Sequence, residues 1–293
     1  MQKEPLIYIN GEFYPKEEAK ISVFDHGLLY GDGVFEAIRA YDGIVFKLKE
    51  HIDRLFESAK SIRIDIGISK EKMQEIVLET LKKNNLKEAY IRIVVTRGKG
   101  PMGVDPRNCE KPTIIIIAEP REPLFGKEKP VKAIISSLRR VPRWALDPRV
   151  KSLNYLNNIL AKIEAIAAGV EEAIMLNQEG YVAEGSTENI FIVKGNEVAT
   201  PPPSAGILKG ITRDVVIEIA KELGYEVKER DITIHELYTA DEVFVCGTGA
   251  EVVPIVEISG RTIGNGEIGP VYKKIKEKFK EKVKDPKEGV KIE

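Results

Sequence analysis

VFEAIRAYDGIVFKLKEHIDRLFESAKSI, residues 34–62, is the stretch whose reading decides the fold class. Two apolar runs flank Asp42-Gly43, and an Asp-Gly step in that setting favours a hairpin because both residues tolerate the positive φ that the turn requires. From Leu48 the period changes: Leu48, Ile52, Leu55, Phe56, Ala59 and Ile62 recur at helical spacing, so a strand pair passes into an amphipathic helix. Upstream, LIYI before Asn10-Gly11 and then KISVF read as further strands. Downstream, residues 70–83 repeat the helical pattern after Ser69, whose hydroxyl suits an N-cap, and YIRIVVTR and TIIIIAEP return to strand. Sheet and helix in this order predict an α+β fold.

The second half opens with the strand KAIISSL and passes a Pro-interrupted loop into a helix. Its apolar residues Leu153, Leu156, Ile159, Leu160, Ile163 and Ala167 are expected to pack on the core. The strands EEAIMLN and NIFIVK follow, then a turn at Pro201 to Pro203, a helix from Ile211 to Leu223, the strand DEVFVC and a last helix from Val271 to Val283. The Pro/Lys-rich stretch 120–130 reads as a linker, which divides the chain into domains 1–119 and 131–293.

The composition bounds what the protein does. The 45 Lys+Arg and 46 Asp+Glu leave a net charge of −1, so no general cationic surface is available to neutralise nucleic-acid phosphates. The longest purely apolar run, Ile114 to Ala118, is far below the roughly 20 residues of a membrane span, and the N-terminus lacks a secretory apolar core. Cys109 and Cys246 are the only cysteines, too few for a disulfide framework, which predicts a cytoplasmic protein. Heavy use of Lys and Glu, with Gln only at positions 2, 74 and 178, leans toward a thermophile.

Two stretches match Gly-x-Gly-x-x-Gly, from Gly98 to Gly103 and from Gly264 to Gly269. The first leads into no helix, and too little chain follows the second for a returning strand, so neither reads as a dinucleotide site. His26, His51 and His235 are scattered without zinc spacing, and no Gly-x-Ser-x-Gly elbow exists. Three segments are compatible with anion binding or acid chemistry. Gly206 to Thr212 enters a helix, where free N–H groups and the dipole attract a phosphate. Cys246-Gly-Thr248-Gly249-Ala250 ends a strand in a small-residue turn. Ala183 to Asn189 places acids between two strands. Lys151 precedes the apolar-faced helix, and burial would lower its pKa toward the neutral amine that a Schiff base needs. Each segment by itself has an ordinary structural reading.

Taken together, YGDGVFEAIRAY (30–41), KSLNYLNNILAKIEA (151–165), AEGSTENIF (183–191), GITRD (210–214) and ADEVFVCGTGAE (240–251) resemble the class IV aminotransferases, most closely the branched-chain amino acid group. The resemblance runs in order from about Tyr8 to about Tyr272. It implies the two-domain fold type IV of pyridoxal 5′-phosphate (PLP) enzymes, D-amino acid aminotransferase-like. In that family pattern Lys151 joins the cofactor aldehyde and moves the substrate Cα proton. Glu184 holds the pyridine nitrogen protonated, and Tyr155 bonds the ring phenolic oxygen. Arg54, the N–H groups of Ile211 and Thr212, and Thr248 bind the phosphate. Substrate falls to Phe35, Tyr90, Arg92, Thr248, Gly249 and Ala250, with Arg39 or Arg97 sharing the role of meeting a second carboxylate. Tyr30 and the loop Met102-Gly103-Val104 come from a second subunit. The implied reaction moves the amino group of Leu, Ile or Val to 2-oxoglutarate, giving the 2-oxo acid and L-glutamate. The implied assembly is a homodimer or a higher homo-oligomer such as a hexamer. A D-amino acid aminotransferase and an aminodeoxychorismate lyase share the fold, and VTRG at 95–98 is similar to the former.

Overall fold

A computed structural model describes residues 4–125 and 129–292. The chain starts with β1 (Leu6–Ile9) and β2 (Glu12–Pro15), joined through Asn10 and Gly11 at φ 48° and 105°. KISVF forms no strand; Val23 and Phe24 are 68% and 46% exposed. The segment instead leads to Asp25, which caps α1 (His26–Tyr30) by accepting the Gly27 N–H at 2.8 Å. Its apolar alternation has no facing layer to bury it, which is why strand periodicity misleads there.

The stretch 34–62 folds as its periodicity predicts. β3 (Gly33–Tyr41) and β4 (Ile44–Phe46) flank Asp42 and Gly43 at φ 50° and 82°, and α2 (Leu48–Ser61) follows. Then come α3 (Lys70–Lys83), capped by Ser69 Oγ, β5 (Ala89–Thr96) and β6 (Thr113–Glu119). With a C-terminal strand (Gly289–Lys291), these form a sheet of seven strands among the described residues, ordered C-terminal strand, β4, β3, β5, β6, β1, β2. Val34, Ile38, Ile91, Ile93 and Ile116 pack with Leu48, Ile52 and Leu55 of α2 and with Met73 and Leu81 of α3. Strand alternation turns Phe35, Ala37 and Arg39 to the other face, where register sets them opposite Val94, Arg92 and Tyr90. One face of this sheet therefore builds the core, and the other carries aromatic and arginine side chains.

The second sheet is built from β7 (Val131–Arg139), β8 (Glu172–Leu176), β9 (Val182–Gly185), β10 (Asn189–Lys194), β11 (Glu197–Thr200), β12 (Glu226–Glu229), β13 (Glu242–Gly247), β14 (Glu251–Ile258) and β15 (Arg261–Thr262). Its order is β12-β11-β10-β13-β14-β7-β8-β9, with β15 beside β14. Among the described residues, the α-helices α4 (Leu156–Ala167), α5 (Ile211–Glu222), α6 (Ile234–Thr239) and α7 (Pro270–Lys282) accompany it. Here α4 reverses an expectation. It buries Asn158, Ala161 and Ala165 against Ala173 and Met175, while Leu156, Ile159, Leu160, Ile163 and Ile166 stay 41–66% exposed. The alanines let the helix lie close on β7 and β8, so the larger side chains point away; Leu153 lies outside the helix altogether.

The residues cluster into two units, Met1–Arg121 with Val150–Asn154 and Val283–Glu293, and Glu122–Arg149 with Tyr155–Lys282. The chain re-enters the first unit twice, which a division into consecutive segments does not contain. Part of the expected linker, 126–128, lies outside the described residues. The glycine motifs serve packing. A Cβ on Gly98 would stand 1.8 Å from the Lys111 carbonyl oxygen, and one on Gly269 would stand 2.0 Å from Glu242 Cδ. Glu242 instead caps α7, accepting the N–H groups of Val271 and Tyr272 at 2.9 and 2.8 Å. No described helix is long and apolar enough to cross a membrane.

Candidate active site

In the first unit the segment around Lys151 adds to the edge of β3: Ser152 bridges Val34, the Phe35 N–H donates to the Lys151 carbonyl, and the Leu153 N–H to that of Gly33. The Lys151 N–H donates to Ser58 Oγ of α2 at 3.1 Å. The backbone is thus fixed on two sides, and the side chain sends Nζ over the Phe35 ring, 4.6 Å from its centre. Burial lowers the Lys151 amine to about 8, with Arg54 and Arg92 adding to the effect and Glu36 and Tyr90 opposing it. A lysine at that value exposes a usable fraction of neutral amine near pH 7.

Behind it lies an ion cluster that sequence reading missed. Glu36, fully buried on the α2 side of β3, receives Arg54 Nε at 2.6 Å and Nη2 at 2.9 Å, and His51 Nδ1 lies 2.8 Å away. Burial by itself would raise the Glu36 carboxyl, yet Arg54 and His51 outweigh it and hold it well below the usual carboxylate range. Burial pushes His51 down despite Glu36, so it donates as a neutral ring. Glu36 and His51 stand fifteen residues apart on different elements, and no sequence spacing announces that contact.

Beside Lys151, the Arg92 guanidinium lies 4.4 Å from the Phe35 ring centre, and its Nη2 donates to the Tyr90 hydroxyl at 3.0 Å. Arg39 and Arg121 stand 6.0 and 5.4 Å from the Tyr90 ring. Guanidinium groups around a phenol offer N–H and O–H donors of the kind that a carboxylate accepts. Arg97 is placed otherwise. It grips Asp32 at 2.9 and 3.0 Å and donates to the carbonyls of Ile62 and Arg63. This fork ties the chain after β5 to the end of α2. Tyr30 is exposed, and its hydroxyl accepts the Gly103 N–H at 2.7 Å, next to exposed Met102 and Val104.

In the second unit, β9 carries Glu184, 5% exposed. Its carboxylate accepts Arg140 Nε at 2.6 Å, the Leu208 N–H at 3.1 Å and Asn189 Nδ2 at 3.4 Å. Arg140 also reaches Asn157 and Asn158 on α4. A buried carboxylate held by several donors is suited to pair with a cationic ring N–H. Asn189 donates to the Leu208 carbonyl as well, which fixes the approach to α5. A Cβ on Gly210 would stand 2.0 Å from Asn189 Oδ1, so only glycine fits at that N-cap. α5 has no side-chain cap, and its first turn keeps Ile211 half-buried and Thr212 buried. Such an end offers N–H groups and a hydroxyl to an anion.

Tyr155, the N-cap residue of α4, lines a cavity of 260 Å³ with Leu124, Phe125, Asn158, Lys162 and Thr187. Thr248, Gly249 and Ala250 follow β13 in the expected turn, and the Gly249 carbonyl accepts the Leu124 N–H at 3.0 Å. By donor chemistry, the Lys151 amine in the first unit and the buried carboxylate and uncapped helix end in the second are groups of the kinds that PLP requires, so the residues present fit that group. Among the described residues no cluster of metal ligands occurs.

The sequence pattern described as amino-transferase class IV matches residues 33–258. A Methanocaldococcus jannaschii relative is 62% identical over 275 residues, 94% of this chain and 95% of its own length. The branched-chain-amino-acid aminotransferase of Escherichia coli is 40% identical over 286 residues, 95% of this chain and 93% of its own. The structure also superposes, at TM-score 0.94 and 40% identity with 99% of this chain and 100% of the other covered, on the branched-chain aminotransferase of the thermophilic archaeon Thermoproteus uzoniensis with norvaline. A further solved branched-chain amino acid aminotransferase with the same score and identity is complexed with N-(5′-phosphopyridoxyl)-L-glutamate. With the motifs, the geometry and these likenesses in agreement, the chain belongs to the class IV aminotransferases.

Proposed function

We propose that the chain is a PLP-dependent branched-chain aminotransferase that moves the amino group of L-Leu, L-Ile or L-Val to 2-oxoglutarate, releasing the branched-chain 2-oxo acid and L-glutamate. The observation that carries this reading is the Lys151 amine, lowered to about 8 beside an apolar ring and an arginine–tyrosine pair. Bound PLP supplies the electron-withdrawing ring that makes the substrate Cα proton acidic. Lys151 is the amine that would hold the cofactor aldehyde, and its Nζ would take the substrate Cα proton and return it. Glu184 would keep a proton on the pyridine nitrogen, and Tyr155 would hold the ring oxygen. Arg54, the N–H groups of Ile211 and Thr212, and Thr248 would hold the phosphate.

Phe35 gives the apolar wall for a branched side chain, while Tyr90, Arg92, Gly249 and Ala250 meet the substrate carboxylate. The second substrate brings an extra carboxylate, which Arg39 would receive: its Nη2 donates to the Arg121 carbonyl at 2.8 Å, and its buried Nε finds no hydrogen-bond acceptor among the described residues. The exposed apolar side of α4 supports a homodimer or larger assembly such as a hexamer, since a stripe of five large aliphatic residues is costly to leave in water. Tyr30 with the 102–104 loop would then serve a neighbouring protomer. The unpaired Cys109 and Cys246 agree with a cytoplasmic setting, and the Lys/Glu-rich composition with a thermophile.

The test is direct. Purified protein should carry a visible PLP band that borohydride abolishes, with the reduced adduct on Lys151, and should form glutamate from L-leucine and 2-oxoglutarate. Turnover of D-alanine without turnover of L-leucine would make it a D-amino acid aminotransferase. PLP retention without attachment at Lys151 would refute the mechanism.

A further inference from the structure

In the second unit, Glu172 on β8 and Glu188 just before β10 are 0% and 2% exposed. Neither has a role in the proposed reaction. They meet around Gly185, where a Cβ would stand 3.5 Å from Glu188 Oε2 and 3.6 Å from Glu172 Cδ. Glu172 Oε1 accepts the N–H groups of Ala173 and Ser186 at 2.7 and 2.8 Å, and Lys162 Nζ approaches Oε2 at 3.5 Å. The Glu188 carboxyl accepts the Thr187 N–H at 3.1 Å and its hydroxyl at 2.5 Å, while its carbonyl accepts the Gly185 N–H at 2.7 Å.

Hydrogen bonds lead from this knot to Glu184. The Ser186 carbonyl accepts Asn158 Nδ2 at 2.6 Å, Asn158 Oδ1 lies 3.4 Å from Arg140 Nη1, and Arg140 Nε donates to Glu184 at 2.6 Å. We propose that Glu172 and Glu188 act as a paired clamp on the turn between β9 and β10, positioning the Glu184 carboxylate for the cofactor ring nitrogen. The inference rests on the reading of Glu184 given above.

Two enclosed carboxyl groups in contact do not both ionise without strong repulsion. Burial and the neighbouring Glu172 push Glu188 well above the usual carboxylate range, against the weaker pull of the Thr187 hydrogen bond and of Lys162 on α4. Glu188 therefore holds a proton and hydrogen-bonds Glu172 as an acid. Thr187 on the turn and the buried Cys246 thiol on β13 are the other groups facing it. The contribution of a raised acid is complete below its unfolded value and disappears as pH rises through the folded one. Alkali is thus expected to set a second charge beside the first and loosen the turn.

The experiment compares holoenzyme wild type, Glu188→Ala, Glu188→Gln and Glu184→Gln by visible pH titration, PLP retention on dilution, and kcat with KM. Glu188→Ala should retain PLP about tenfold less tightly, the effect of one lost buried hydrogen bond to a charged group, with kcat falling more than KM changes. Glu188→Gln, whose amide donates at every pH, should recover retention and lack the alkaline change in the visible band that wild type shows. An identical alkaline transition in wild type and Glu188→Gln overturns the clamp, and that comparison stands even if Glu188→Ala does not fold. An unchanged band and turnover in Glu184→Gln would instead remove the role of Glu184, a failure told apart by that variant alone.

Discussion

Replacing Glu36 by Gln tests how the first unit sets the Lys151 amine. The substitution keeps the shape but removes the charge and turns an amide N–H₂ toward donors. Arg54, gripped at 2.6 and 2.9 Å with its side chain 12% exposed, then loses the partner of a buried pair, and His51 loses its acceptor. Breaking such a pair from one side costs about 3–5 kcal/mol. The pH dependence follows from the lowered Glu36 carboxyl. Its contribution is present above the unfolded value of 4.5 and is lost as pH falls through that value toward the folded one. Urea unfolding of apoprotein should therefore show a gap between wild type and Glu36→Gln of that size at pH 7, narrowing below about pH 4.5. A second readout is chemical. Glu36 holds the Lys151 pKa up, so its removal should move the midpoint for PLP capture by apoprotein below the wild-type value of about 8. A gap under about 1 kcal/mol at neutral pH, typical of an exposed pair, or a capture midpoint that moves to higher pH, would refute the account of this cluster.

Arg97→Lys should lower thermal stability while leaving KM for 2-oxoglutarate within about twofold, because the bidentate grip on Asp32 is what a lysine loses; a large rise in KM at unchanged stability would return Arg97 to substrate binding. Ile163→Glu on α4 should lower the assembly size measured by sedimentation, since one charge in a desolvated apolar patch opposes association by several kcal/mol; an unchanged mass would show that this face lies outside the contact. Gly210→Ala should weaken PLP retention at least tenfold, because the methyl must displace Asn189 from beside the α5 entry; retention equal to wild type would remove α5 from the phosphate site.

Local chemistry made much of the molecule legible. The Asp-Gly hairpin, the helices at 48–62 and 70–83, the Ser69 cap and the entry to α5 follow from spacing and turn preference, which act within a few residues. The motifs containing Lys151, Glu184 and Thr212 identified the family because they recur in order. Tertiary structure decided whatever depends on partners distant in sequence. KISVF alternates like a strand but finds no layer to bury it. On α4, helical periodicity marks an apolar stripe without saying whether the core or another surface covers it; the small Ala161 and Ala165 take the close contact. Arg97 and Arg92 are alike as letters, and only the positions of Asp32 and Tyr90 make one a clamp on a carboxylate of the chain and set the other against a phenol hydroxyl. The charges of Glu36, His51 and Lys151 depend on burial and on groups brought together by folding, quantities that no stretch of sequence carries by itself.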